Sequence, residues 1–435
     1  MTSEVAIMNT QAIALASDSA VTFGQRGQYK IKYSANKIFR LSETQPVGIM
    51  TYGNANFMGL PWETIIKLFR KKIGRDKYNY LEDYINEFFN FLEDKSIFTE
   101  LLQKRELYGL SIIIFGSILN EIKKKVKYII QKTGKITEYK IKQISDEIIN
   151  KRYIEIDRRA ILKGRKKADM FEIMRNYQKE IDKAIKDVFQ ELPMFKKSVK
   201  RLHRLMALFC IRDIFLPTNR SGIVIAGFGE KDLFPKIYDY WLDIIINNKL
   251  KKKLRKRNVI TYDNRATISY FAQGEMVYSF MEGIDPYLLE ANNKYLKENI
   301  FDKYPEIIVG EISGLNKAQK EQLKEKLKEK SRKLYETYIK EMKTYRQVNH
   351  VKPIMDVVKV LPKDELALMA ETLVNLQSFK RKVSREFETV GGPIDVAVIS
   401  KGDGFTWIKR KQYFKPELNK HLYLKQYIEI DDEEK

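Results

Sequence analysis

The chain has 435 residues, 44% of them hydrophobic and 12% aromatic, which is enough for a packed core and excludes a chain disordered throughout. Its 80 basic and 57 acidic side chains leave a net charge of +23. That excess points to an acidic partner such as nucleic acid, or to lysines spread over solvated faces. One cysteine, Cys210, excludes an internal disulfide; with no secretory leader and no apolar run of membrane-spanning length, a cytoplasmic protein with no membrane partner is expected.

The first twenty-four residues carry the chemistry. Ser3–Met8 and Ala12–Ala16 read as two short strands joined by a turn at Asn9-Thr10, so the second strand delivers Asp18 close to the chain's start. Thr2 is small enough for Met1 to be clipped. A terminal threonine would then carry its own base, because an α-amine with a pKa of about 8 is partly neutral near pH 7. A nearby cation would hold that amine neutral. Lys37, in Asn36-Lys37-Ile38-Phe39, is the candidate, with Asp18 to pair with it. Pro46–Tyr52 is a further strand, ending at Gly53-Asn54-Ala55, whose N–H groups suit an oxyanion hole. Taken singly, Thr2 reads better as an ordinary chain start, Asp18 as a turn residue and Lys37 as a solvated strand lysine; it is their joint spacing among strands that favours the nucleophile.

Pro61–Lys72 reads as an amphipathic helix. Residues 78–214 read as almost wholly helical, with a break at Gln131–Lys135. Cys210 lies in an apolar run and reads as buried filler. Strands resume at Gly222–Gly227, Lys236–Leu242 and Thr267–Ala272, and a helix spans Glu275–Gly283. Between them lies the densest basic run, with Lys251, Lys252, Lys253, Arg255, Lys256 and Arg257 as candidates for phosphate contacts. Residues 286–346 are helical and rich in Lys and Glu, as expected of a solvated helix laced with ion pairs, or of a partner-binding arm. Pro362–Phe387 is an amphipathic helix. Gly391-Gly392-Pro393 then breaks the chain before the strand Ile394–Ser400, a turn at Asp403-Gly404 and a return strand Phe405–Lys409. Residues 417–435 are an acidic tail. Three scattered histidines and one cysteine give no metal motif, and no cofactor is expected.

Several of these stretches resemble the proteasome β-subunit and HslV-type peptidases of the N-terminal nucleophile hydrolase superfamily. Ala16-Ser17-Asp18-Ser19-Ala20-Val21-Thr22 is similar to the family's A-x-D/E-x-x-x-T segment, and Lys37-Ile38-Phe39 to its lysine before an apolar pair. The sequence 391–404, GGPIDVAVISKGDG, is similar to its closing unit. The resemblance implies an α+β fold, a four-layer α-β-β-α sandwich with two antiparallel sheets. The core would be assembled from residues 1–77, 215–300 and 355–416, with helical insertions at 78–214 and 301–354. It implies a threonine-type peptidase or amidohydrolase with Thr2 as nucleophile, Lys37 tuning it, Asp18 holding Lys37, and the N–H of Thr51 where the family uses a glycine. Thr22, Tyr52 and Gly53 would line the substrate. Glu386 or Glu388, with Thr389, would stand where the family places an Asp and a Ser, and Gln273 where it places another Ser. A peptide or protein would be the substrate, and a homo-oligomer and an ATPase are candidate assemblies. The alternative is an inactive scaffold of the same fold whose basic helical parts bind nucleic acid or a protein.

Overall fold

The structure is a computed structural model and describes residues 2–23, 30–190, 192–384, 390–412 and 415–419, with the backbone alone at 22, 23 and 416. The strands are β1 (Ser3–Asn9), β2 (Ala12–Ser17), β3 (Val21–Phe23), β4 (Lys30–Lys32), β5 (Ile38–Arg40), β6 (Val47–Gly53), β7 (Asn56–Phe57), β8 (Leu60–Pro61), β9 (Ser221–Gly227), β10 (Lys236–Ile246), β11 (Lys249–Val259), β12 (Ala266–Ala272), β13 (Asp395–Ser400) and β14 (Gly404–Lys409). The helices are α1 (Trp62–Ile73), α2 (Leu81–Leu92), α3 (Glu100–Thr133), α4 (Glu138–Asp157), α5 (Lys167–Asn176), α6 (Gln178–Phe189), α7 (Lys196–Ile211), α8 (Glu275–Glu282), α9 (Pro286–Tyr295), α10 (Tyr304–Glu311), α11 (Lys317–Arg346), α12 (Lys352–Val358) and α13 (Lys363–Val383). Two π-helical stretches, Leu296–Lys303 and Gln347–Val351, join α9 to α10 and α11 to α12. The chain is therefore of mixed α+β class with antiparallel sheets.

It divides into two compact units, Met1–Ile38 with Ile260–Lys435, and Phe39–Val259. Segments 1–77 and 215–300, each expected to lie within one core, are each shared between the two. The helical segment 78–214 belongs with the second sheet.

The first unit holds the sheet β12-β1-β2-β13-β14. Its centre is the hairpin β1–β2, with Met8 opposite Ile13 and Glu4 opposite Ser17. Asn9 makes the turn. Its Oδ1 accepts from the N–H groups of Gln11 and Ala12, and its Nδ2 donates to the carbonyls of Val358 and Leu361. A single buried amide thus shapes the hairpin and ties the end of α12 to it. One face of the sheet presents Val5, Ile7, Ala12, Ala14, Ala16, Val396 and Val398 to Val277 of α8 and to Leu366, Ala370, Leu373 and Val374 of α13. The run of alanines in β2 lets α13 lie close against the strand. Ala6, Met8, Ile13 and Leu15 point to the other face and are fully buried too.

The second unit holds the sheet β11-β10-β9-β6-β5. Val47, Ile49, Ile223 and Ile225 share a core with residues of α1 to α7. Aromatic pairs densify it, with Phe57 stacked on Trp62 at 5.0 Å and Phe69 edge-on to Phe88 at 5.1 Å. Met50, Val224 and Ala226 alternate with those positions and are equally buried.

Local expectations and structure differ at three places. The basic run 251–257 is the interior of an edge strand, β11, because alternate lysines there find carboxylates and aromatic rings. Residues 158–166 interrupt the helical segment and are held by a bridge between Ile161 and Arg212. Residues 21–23 and 30–32 pair as two short antiparallel strands.

Candidate active site

The hairpin β1–β2 delivers Asp18 to the start of β1. The pairing continues one step past the strand, where the N–H of Asp18 donates to the carbonyl of Ser3 at 3.2 Å. The Asp18 side chain then turns back. Its Oδ1 accepts from the Ser3 N–H at 3.0 Å and from Lys37 Nζ at 2.7 Å, and its Oδ2 from the N–H groups of Ala20 at 3.2 Å and Gly391 at 3.0 Å. Four donors converge on a carboxylate whose side chain is fully buried. An ionised carboxylate only accepts, and these four bonds occupy its capacity. Asp18 is thus a fixed anchor for one cation and three backbone segments.

Lys37 is 5% exposed, and Asp18 is its partner among the described residues. An ammonium has three donors, so two remain for other groups at the site. Thr2 is also buried, at 5% exposure, and its carbonyl accepts from the Gln273 N–H at 3.1 Å. Ala272, just before Gln273, has φ +60°, unusual for a residue with a side chain, and marks a constrained exit from β12. Thr2 is thereby held on both sides. Gln273 fixes its carbonyl, and Asp18 fixes the amide of the next residue.

The Gly391-Gly392 pair closes the site. Gly391 bonds Asp18 through its N–H and accepts from the Ser19 N–H through its carbonyl at 3.1 Å, while Ser19 Oγ donates to the Pro393 carbonyl. Gly392 has φ +79°, and a Cβ there would lie 2.6 Å from Cβ of Tyr33, so a side chain is excluded on two counts.

A second ion pair, between a buried aspartate and a half-buried lysine, lies beside the first, and sequence reasoning missed it. Asp395, opposite Ser17 in the β13–β2 pairing, accepts from both the N–H and the ammonium of Lys411. Burial pushes the Lys411 ammonium below the usual lysine range, Asp395 opposes that shift, and the positive charge of Lys37 adds to it. A lone acid in the apolar strand 394–400 was the available signal, since such a residue is rarely buried without a partner. Nothing in the sequence marked Lys411. Glu4, fully buried on β1, also went unnoticed; its Oε1 lies 3.5 Å from Ser17 Oγ.

The remaining expected residues fall elsewhere. Thr51, Tyr52 and Gly53 belong to the second unit, at the end of β6. Thr51 is buried; Tyr52 Oη donates to Asp239 and accepts from Arg255; Gly53 has φ +81°. Thr22 lies in β3, and its side chain is outside the described residues. Met1, Glu386, Glu388 and Thr389 lie outside them altogether. In the basic run, Lys251 is fully buried and paired with Asp243, which removes it as a phosphate contact. Lys253 pairs with Asp213, Arg255 with Asp239, and Lys252 lies over the Phe89 ring at 4.2 Å. Lys256 is pushed below the usual lysine range by burial, and Arg257 bonds Tyr238 Oη at 2.9 Å.

Among the described residues no helix is long and apolar enough to cross a membrane. The sequence matches no protein-family model and none of the curated proteins.

Proposed function

We propose that the chain is a proteasome-like N-terminal threonine hydrolase that cleaves peptide or amide bonds through an acyl-enzyme on Thr2 after Met1 is removed. The observation that carries this reading is the sharing of Asp18 Oδ1 by the Ser3 N–H and the Lys37 ammonium. That sharing brings a buried cation to the backbone beside Thr2, where an electrostatic aid to a terminal nucleophile is needed.

In the proposed reaction the Thr2 hydroxyl attacks the scissile carbonyl and its proton passes to the Thr2 α-amine. The C–N bond breaks, the amine leaves with that proton, and an ester to Thr2 remains. Water, deprotonated by the same amine, hydrolyses the ester and restores the hydroxyl. Lys37 favours the neutral amine and the developing alkoxide; Asp18 positions Lys37. A four-layer α-β-β-α sandwich is part of the proposal. Each sheet is buried on the face its own helices leave uncovered, at Ala6, Met8, Ile13 and Leu15 in one and at Met50, Val224 and Ala226 in the other.

The test is the mass of the purified protein followed by treatment with an epoxyketone or β-lactone probe. The expected result is a chain lacking Met1 that gains one probe mass on Thr2, with no gain in Thr2→Ala. A chain that keeps Met1 and takes no probe would overturn the proposal. The scaffold alternative draws less support, because much of the basic run is engaged within the fold. It predicts a salt-dependent gel shift with nucleic acid.

A further inference from the structure

The second unit contains an arginine pair that the proposed chemistry at Thr2 does not use. Two guanidiniums lie over the ring of Trp241 on β10, with Arg220 Cζ 3.8 Å and Arg255 Cζ 4.3 Å from its centroid. Arg255 is committed. It donates to Tyr52 Oη at 2.8 Å and lies 3.4 Å from Asp239, which in turn accepts from Tyr52 Oη at 2.7 Å. Arg220 has no carboxylate or hydrogen-bond acceptor for its guanidinium among the described residues, although it is half-buried. Its backbone is pinned, since its carbonyl accepts from the Asn54 N–H at 3.2 Å and its own N–H donates to the Leu216 carbonyl at 3.1 Å.

The local charge does not balance. Arg255 and Lys256 both act on one carboxylate, Asp239, and the charge of Arg255 also reaches Arg220. Trp241 adds a further donor, because its Nε1–H is buried with no acceptor among the described residues. Burial and the charge of Arg255 both push the Arg220 guanidinium below the usual arginine range. A half-buried guanidinium fork beside a second arginine and an indole N–H lacks only acceptors.

We propose that Arg220, Arg255 and Trp241 form a binding site for an oxyanion, the carboxylate or phosphoryl group of a small ligand. Arg220 supplies the unspent fork, and Trp241 carries both guanidiniums by cation–π contact. The Tyr52–Asp239 pair fixes Arg255. The site stands whether or not Thr2 is catalytic, since none of these residues belongs to the Thr2 unit.

The experiment is titration of the full chain at low ionic strength with inorganic phosphate and, separately, with succinate, read by tryptophan fluorescence. Trp241→Phe identifies the responding indole. The expected result is a saturable change that vanishes in Trp241→Phe and needs at least about tenfold more ligand in Arg220→Met. Lys124→Met, at an exposed lysine of α3, should leave the midpoint unchanged. A response to phosphate alone assigns a phosphoryl ligand, one to succinate alone a carboxylate, and one to both an oxyanion site indifferent to the source. Arg220→Lys, which keeps a charge but loses the fork, should bind with intermediate strength and guards against a misfolded methionine variant. No saturable change with either probe, or equal weakening by Lys124→Met and Arg220→Met, overturns the proposal.

Discussion

Lys37 Nζ lies 2.7 Å from Asp18 Oδ1, and both side chains are removed from water. The same oxygen takes the amide of Ser3, so the pair is also a backbone clamp. Removing one partner of such a buried pair leaves a charge without its counterion, at a cost of about 3–5 kcal/mol. Three backbone donors stay on Asp18, so Lys37→Met is expected at the lower end of that range by chemical denaturation. Lys37→Arg keeps the charge in a bulkier, planar head. It should retain the fold while lowering the rate of Thr2 acylation by at least about a hundredfold. Equal acylation rates in Lys37→Arg and the wild type would show that the lysine serves only the fold.

Lys251 is a structural lysine of the basic run. Its ammonium donates to Asp243 at 3.0 Å and to the carbonyl of Ile214 at 2.6 Å, and lies 3.9 Å over the ring of Phe209. Lys251→Met should destabilise the second unit by about 3 kcal/mol or more, because Asp243 stays buried without its counterion, holding only the bond from Asn219 Nδ2. The double variant with Asp243→Asn should cost less than the two single changes summed. Additive losses in urea melts would contradict the pairing. No change in affinity for nucleic acid is expected from Lys251→Met while the protein remains folded.

The sequence made the strands and helices legible where side-chain period and punctuation agree. β1, β2, β6 and β9 are short apolar runs closed by turn residues, and α1 and α13 have clear amphipathic faces. The spacing of Asp18 from the chain start placed it beside the first strand, because a two-strand hairpin fixes that distance. β11 escaped because seven basic residues in a stretch of eleven look solvated. Only the partners, Asp243, Asp213, Asp239 and Phe89, make it a strand, and those lie on other elements. Lys411 was invisible for the same reason, since its environment is set by Asp395, sixteen residues earlier in the chain.

Gly222 lies opposite Trp241 and Tyr52 in the β10–β9–β6 ladder. A Cβ built on it would sit 2.0 to 2.2 Å from atoms of the Tyr52 ring. Gly222→Ala should therefore expel Tyr52 from its bonds with Asp239 and Arg255, at about 1–3 kcal/mol. In a Tyr52→Ala background the same change should cost much less. A double-mutant cycle showing no coupling would mean that the ring moves aside freely.

Cys210 is fully buried on α7, and burial pushes its thiol up to about 11. The thiolate is the reactive form, so near neutral pH the native protein should resist alkylation by iodoacetamide. Labelling should appear in parallel with unfolding in urea. Rapid labelling of the native protein would place the thiol at the surface.

The phenols of the second unit give the alkaline limit of stability. Burial pushes Tyr240 up to about 12, helped by its neighbours Tyr238 and Glu82, and pushes Tyr52 higher still. Below pH 10 these phenols are protonated in both the folded and unfolded states and contribute nothing to the pH dependence. Between about pH 10 and 12 the unfolded chain releases their protons while the native protein keeps them. The unfolded state then binds fewer protons, and stability falls as pH rises. Tyr240→Phe removes one such group and should flatten the decline over that window, with little effect near neutrality. Urea midpoints measured at several alkaline pH values, alongside ultraviolet titration of the phenolates, provide the check. An unchanged slope in Tyr240→Phe would show that its phenol ionises as readily folded as unfolded.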